Sequence, residues 1–149
     1  MKLLNTTAIN DNLLHQIIRY CQPKGVYLKD IRKFAFKNSK RGYSGYYYNS
    51  KCISIMVPKP TKYQRPNVRV QRQGYLASTH YTWIDELIYI IAHEMRHMWQ
   101  HNNAWKTPRE IKRIRHYQMG TNAKLIEVDA SLYGIRKMRE YRKSNILFQ

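Results

Sequence analysis

From Trp83 to Met98 the apolar side chains fall on more than one face of any helix drawn through them: Trp83, Ile84, Leu87, Ile88, Ile90, Ile91, Met95 and Met98. A surface helix carries one apolar stripe, whereas a helix apolar on several faces has to sit inside the fold. The chain must therefore build itself round this segment. Thr82, with Asp85 three residues on, supplies a helix start. Set into the same run are His93, Glu94 and His97, polar groups that need partners when buried. Positions four apart lie one above the other on a helix face. His93 and His97 thus present two imidazoles to one point, with Glu94 one step round the helix. That spacing suits a single Zn2+ ion, with Glu94 placed to act on a water beside it.

A catalytic zinc site takes a third protein ligand and keeps one position for water. His101 continues the ladder but lies about 12 Å beyond His93, too far to share one ion on a straight helix. The HExxHxxGxxH pattern is absent, because Asn103 stands where the third His belongs. Two downstream candidates remain, Glu127 and His116. Leu125, Val128, Leu132 and Ile135 give residues 122–134 a helical stripe. Beside it lie Glu127, Ala130, Ser131 and Gly134, small residues that let this helix approach the first one closely. That favours Glu127, while Asp129, two residues away, points to another face.

His93-Glu94-x-x-His97 followed by Glu127-x-x-Ala130 resembles the gluzincin arrangement, HExxH plus a helical ExxA(D/N). It is similar to small bacterial and phage zinc metallopeptidases of the ImmA/IrrE type. The resemblance implies a zincin-like fold, Zn2+ on His93, His97 and Glu127, and Glu94 as general base. Ser131 departs from the pattern, since an acid or amide that orients a ligand His is usual there. The layout of a helix, a few strands and then the HExxH helix also resembles the SprT/Spartan-like minimal zincins. Those use a later His as third ligand, which here is His116.

The remaining segments fit a single α+β domain over 1–146, with a small antiparallel sheet packed on helices round the HExxH helix. At 149 residues and 43% apolar content, one globular domain with a modest core is expected. An amphipathic helix is predicted from Ile9 to Tyr20, closed by Pro23-Lys24-Gly25. Val26 to Phe36 is predicted as a strand with room for a bulge. Tyr43 to Tyr48 and Lys51 to Val57 read as two strands joined at Asn49-Ser50. Asn67 to Gln73 alternates weakly, as an edge strand or a loop. The HExxH helix covers about 82–101. A capping box at Thr107-Pro108-Arg109-Glu110 starts a third helix that stops at Gly120. The last helix runs from Asn122 to Arg142. Residues 147–149 resemble the scar of a cleaved tag. Cys21 and Cys52 form neither a metal knuckle nor a disulfide framework. With no signal-peptide core and no membrane-length apolar run, a cytoplasmic setting is expected.

Charge is the second constraint. The net charge is +18, the pI about 10.1, and 13 Tyr are interleaved with the Lys and Arg. Such a surface suits a polyanion, with DNA or RNA bound through phosphates and little sequence preference. Arg109, Lys112, Arg113 and Arg115 are the candidate contacts. The leading expectation is a zinc endopeptidase acting on protein or peptide substrates, including proteins associated with nucleic acid. Tyr117, Tyr133 and His116 are candidates to stabilise the developing oxyanion. The alternative is a basic nucleic-acid-binding protein whose metal core is structural or inactive. Intact Glu94 weighs against it, because a structural site needs no general base.

Overall fold

The structure, a computed structural model, describes residues 1–38, 43–58, 67–69, 78–104, 123–144, 146 and 148. Strand β1 (Lys2–Asn5) leads into helix α1 (Asp11–Cys21). Asn10 caps α1, its side-chain oxygen accepting from the amides of Asn12 at 2.7 Å and Leu13 at 3.4 Å. α1 buries Leu14, Ile17, Ile18 and Cys21 and ends one residue later than its apolar spacing predicts. Gly25, at φ +87°, makes the turn that follows, a conformation a side chain would strain.

The segment predicted as one strand from Val26 to Phe36 divides in two. Leu28–Asp30 is a 3-10 turn, and only Lys33–Lys37 is a strand, β2. The amides of Asp30 and Ile31 bond back to the carbonyls of Tyr27 and Leu28 at 2.9 and 3.1 Å, which removes them from any sheet. β3 (Gly45–Tyr47) and β4 (Cys52–Met56) form the expected hairpin, and Lys51 takes φ +51° in its turn.

The sheet is mixed, which corrects the antiparallel sheet expected from the sequence. Its strand order is β1-β2-β4-β3, with β1 and β4 both parallel to β2 and only β3 antiparallel. The reason is β1. Four residues at the start of the chain carry too little periodicity to declare a strand, yet α1 and the 3-10 turn return the chain alongside it in the same direction. Phe34 and Phe36 stand opposite Ile53 and Ile55 on one face of the sheet, all four fully buried. A second, two-stranded sheet pairs β5 (Asn67–Arg69) with β6 (Ser78–His80), placing a strand at the start of the weakly alternating segment.

Helix α2 (Trp83–Ala104) is the central helix its apolar pattern demands. Leu87, Ile88, Tyr89, Ile91, Ala92 and Met95 are all fully buried. Each large apolar side chain among them contributes roughly 1.5–3 kcal/mol by leaving water. The capping box closes as its spacing predicts. The Asp85 amide donates to Thr82 Oγ1 at 3.1 Å, and the Thr82 and Tyr81 amides donate to Asp85 Oδ2 at 3.2 and 2.8 Å. α2 packs on β3, β4 and α1, and most extensively on helix α3 (Ala123–Lys143). Arg142, near the end of α3, reaches back to Asp85 at 2.9 Å and so joins the far ends of the two helices. Phe148, in the stretch read as a tag scar, stacks on Tyr141 at 5.1 Å and meets the edge of Tyr20 at 5.8 Å. The helix predicted from Thr107 to Gly120 lies outside the described residues. Among the described residues no helix is long and apolar enough to cross a membrane.

Candidate metal centre

The side chains that could hold a metal come from α2 and α3, and glycine sets the distance between those helices. A Cβ placed on Gly134 would lie 2.8 Å from the Tyr89 carbonyl oxygen and 2.9 Å from the Tyr89 ring. The backbones are therefore as close as the absent side chain allows. Ser131, one turn earlier, is fully buried, and its hydroxyl meets the Tyr89 hydroxyl at 3.2 Å. One further turn back on the same face stands Glu127.

Glu127 closes on both histidines. Its carboxylate oxygens lie 3.0 Å from His93 Nε2 and 3.4 Å from His97 Nε2, and the two Nε2 atoms lie 3.0 Å apart. A tetrahedral ion bonded at 2.0–2.1 Å separates its ligand atoms by about 3.3–3.4 Å. The three contacts fall at or slightly inside that spacing. His93 and Glu94 are buried at 1% and 5% exposure, while Glu127 is partly open to solvent.

Neighbouring groups fix which nitrogen of His97 carries its proton. The Gln100 amide nitrogen donates to the Ile126 carbonyl at 3.0 Å and to Asp129 Oδ2 at 2.8 Å. Its oxygen is thereby turned to His97 Nδ1 at 2.8 Å, so Nδ1 is the donor. In neutral His97 the Nε2 lone pair then points at His93 and at a carboxylate. These contacts suit either a proton on His93 Nε2 or a metal ion between the three groups. Asp129 is held in turn by Arg96, through Nε at 2.7 Å and Nη2 at 3.1 Å.

The electrostatics agree. Burial raises the Glu127 carboxyl, but hydrogen bonds from His93 and His97, with their charge, overcome it and hold the group at about 2. Burial lowers the His97 imidazole, yet its bonds to Glu127 and Gln100 and the charges of Glu94 and Glu127 leave it above its ordinary value. In the absence of metal, these bonds and charges favour a proton on His97.

Of the residues singled out in the sequence, His93, His97 and Glu127 converge, with ligand atoms all within 4.8 Å of one another. Asp129 does not join them; it faces the flank of α2 and holds Gln100. Tyr133 is corrected as an oxyanion candidate, because its hydroxyl donates to the Cys21 carbonyl at 3.1 Å, inside the core. His101 packs beside Tyr48 at 5.2 Å. His116, Tyr117, Arg109, Lys112, Arg113 and Arg115 lie outside the described residues. Gln100 escaped sequence reasoning. Its signal was its place three residues after His97 on the same helix, with Asp129 two residues after Glu127. Comparison with models of protein families, with curated proteins and with solved structures returned no match to this chain.

Proposed function

We propose that this chain is a zincin-like zinc-dependent endopeptidase, with His93, His97 and Glu127 holding the ion and Glu94 serving as general base. The observation that carries this reading is the lone pair of His97 Nε2, oriented by Gln100 toward a carboxylate and a second imidazole. Zinc bound there would acidify its water and polarise a scissile carbonyl. Glu94 is the adjacent carboxylate on α2. Its charge acts on His97, but it does not belong to the converging donor set. On this reading it accepts a proton from the attacking water and passes it to the leaving amine. Among the described residues three donors converge, and three protein ligands on a tetrahedral ion would leave one position for water or substrate, whereas a structural zinc site is closed by four. β3 supports a peptide substrate. It forms one edge of the four-stranded sheet and packs on α2, and an edge strand offers its backbone groups to an extended chain.

The test is elemental analysis together with Glu94→Gln. Purified protein should hold about one zinc per chain. The variant should keep its zinc and lose most cleavage of a mixed peptide pool, read as new termini by mass spectrometry. Zinc-free protein, or a variant that cleaves as fast as the parent, would overturn the reading.

A further inference from the structure

α3 carries a concave feature on the side of the helix that turns away from Glu127. A groove of about 510 Å3 is lined by Arg96, Asp129, Tyr133, Arg136, Arg139 and Lys143, with Glu140 at its edge. Arg136, Arg139 and Lys143 are three and four residues apart, so they share one helix face and span about 10.5 Å. Two of the cations are already held in place. The Arg96 guanidinium lies 3.6 Å over the Trp99 ring, and that of Arg136 lies 5.0 Å over the Tyr133 ring. The two carboxylates are matched, Asp129 by Arg96 at 2.7 Å and Glu140 by Lys137 at 3.4 Å and Arg136 at 3.7 Å. Among the described residues, Arg139 and Lys143 have no carboxylate partner. Leu132, half exposed, lines the same groove.

We propose that this groove is a docking surface for the phosphate backbone of nucleic acid. Charge density selects the occupant. The backbone of one strand presents a negative charge per 3.4 Å of duplex axis at every nucleotide, about three along the 10.5 Å between Arg136 and Lys143, and the second strand doubles the total. An extended acidic peptide presents at most one per 3.4 Å, about three, and only if every residue is acidic. Stacked guanidiniums bind without first losing rotamer freedom, and their planar fork matches a phosphate. The remaining positive charge of the chain, +18 in all, adds long-range attraction to any dense polyanion. No base edge is contacted from such a groove, so binding is independent of sequence.

The proposal does not depend on the peptidase reading, and its test keeps the two apart. The purified 149-residue chain is titrated against fluorescent 20-mer duplex and single-stranded DNA between 50 and 200 mM salt. Arg139→Gln/Lys143→Gln is compared with Lys24→Gln/Lys29→Gln, an equal loss of charge at exposed positions before β2. Zinc content is read on every sample. The groove variant should match the parent's zinc content and lose about 2 from the slope of log affinity against log salt, since each phosphate contact contributes about 0.9. The parent should then weaken roughly tenfold more than this variant across the salt range. The control should keep the parental slope. Equal slopes for both variants, no binding at 50 mM salt, or tighter binding to polyglutamate than to DNA would overturn the proposal, the last in favour of an acidic protein.

Discussion

Gly134→Ala tests whether the spacing of α2 and α3 sets the metal centre. On propensity alone the change should help, because alanine stabilises a helix interior by about 1 kcal/mol over glycine. Packing opposes it. The new methyl would stand 2.8 Å from the Tyr89 carbonyl and 2.9 Å from the Tyr89 ring, and overpacking of a tight contact costs about 1–3 kcal/mol. The carbonyl belongs to the buried centre of α2 and cannot swing aside like a side-chain tip. Reaching an ordinary contact of 3.4 Å requires the helices to part by about 0.6 Å. Net destabilisation should be about 1 kcal/mol, a fall of roughly 2–4 °C in Tm for a chain of this size. The larger effect should be on zinc. Glu127 lies seven residues away on the same face of α3, and ligand distances tolerate only about 0.2 Å. Zinc affinity, measured by competition with a chromophoric chelator, should weaken about tenfold or more, with exposed Leu132→Ala as the control. An alanine variant that melts higher than the parent and binds zinc as tightly would refute the reasoning.

Three further outcomes are expected. Gln100→Ala should weaken zinc binding about tenfold to a hundredfold while secondary structure is retained, because His97 loses the group that fixes its tautomer; unchanged affinity would show that Gln100 does not position His97. Asp85→Ala removes the α2 cap and leaves Arg142 without its carboxylate, so chemical denaturation should show a loss of about 3 kcal/mol with zinc stoichiometry unchanged. In chelator-treated protein, lowered Glu127 contributes stability that is present above pH 4.5 and lost as pH falls toward 2, while raised His97 contributes stability present below pH 6.5 and lost as pH rises through its folded value. The metal-free melting temperature should therefore be greatest between about pH 4.5 and 6.5, and zinc protection should grow as pH rises and ligand imidazoles shed their protons. A metal-free curve that climbs steadily from pH 6 to 8 would contradict this assignment.

What the sequence made legible was whatever one helix encodes by itself. The apolar run of α2, its Thr82–Asp85 cap and the stacked His93 and His97 all follow from a period of 3.6 residues. The smallness of Ser131 and Gly134 announced a close helix pair, and with it Glu127. Groups that matter only once two helices face each other were hidden. Gln100 reads as an ordinary polar residue until Asp129 and Ile126 are brought alongside it. Ser131 looked like a missing orienting group, yet the orientation comes from α2 itself. β1 was hidden for a related reason, since a four-residue strand is defined by β2 beside it, 31 positions further on.

His97 and Glu127 also lie about 30 residues apart along the chain. On the proposed reading, an ion shared by them is a reversible crosslink that closes a loop of that length. Treated like a disulfide of equal span, it removes roughly 3–4 kcal/mol of conformational entropy from the unfolded chain. Typical domains have only about 5–15 kcal/mol of stability in total. The abundance of the folded protein would therefore follow the free zinc concentration around it. A cell short of zinc would lose the protein to proteolysis as well as to inactivity.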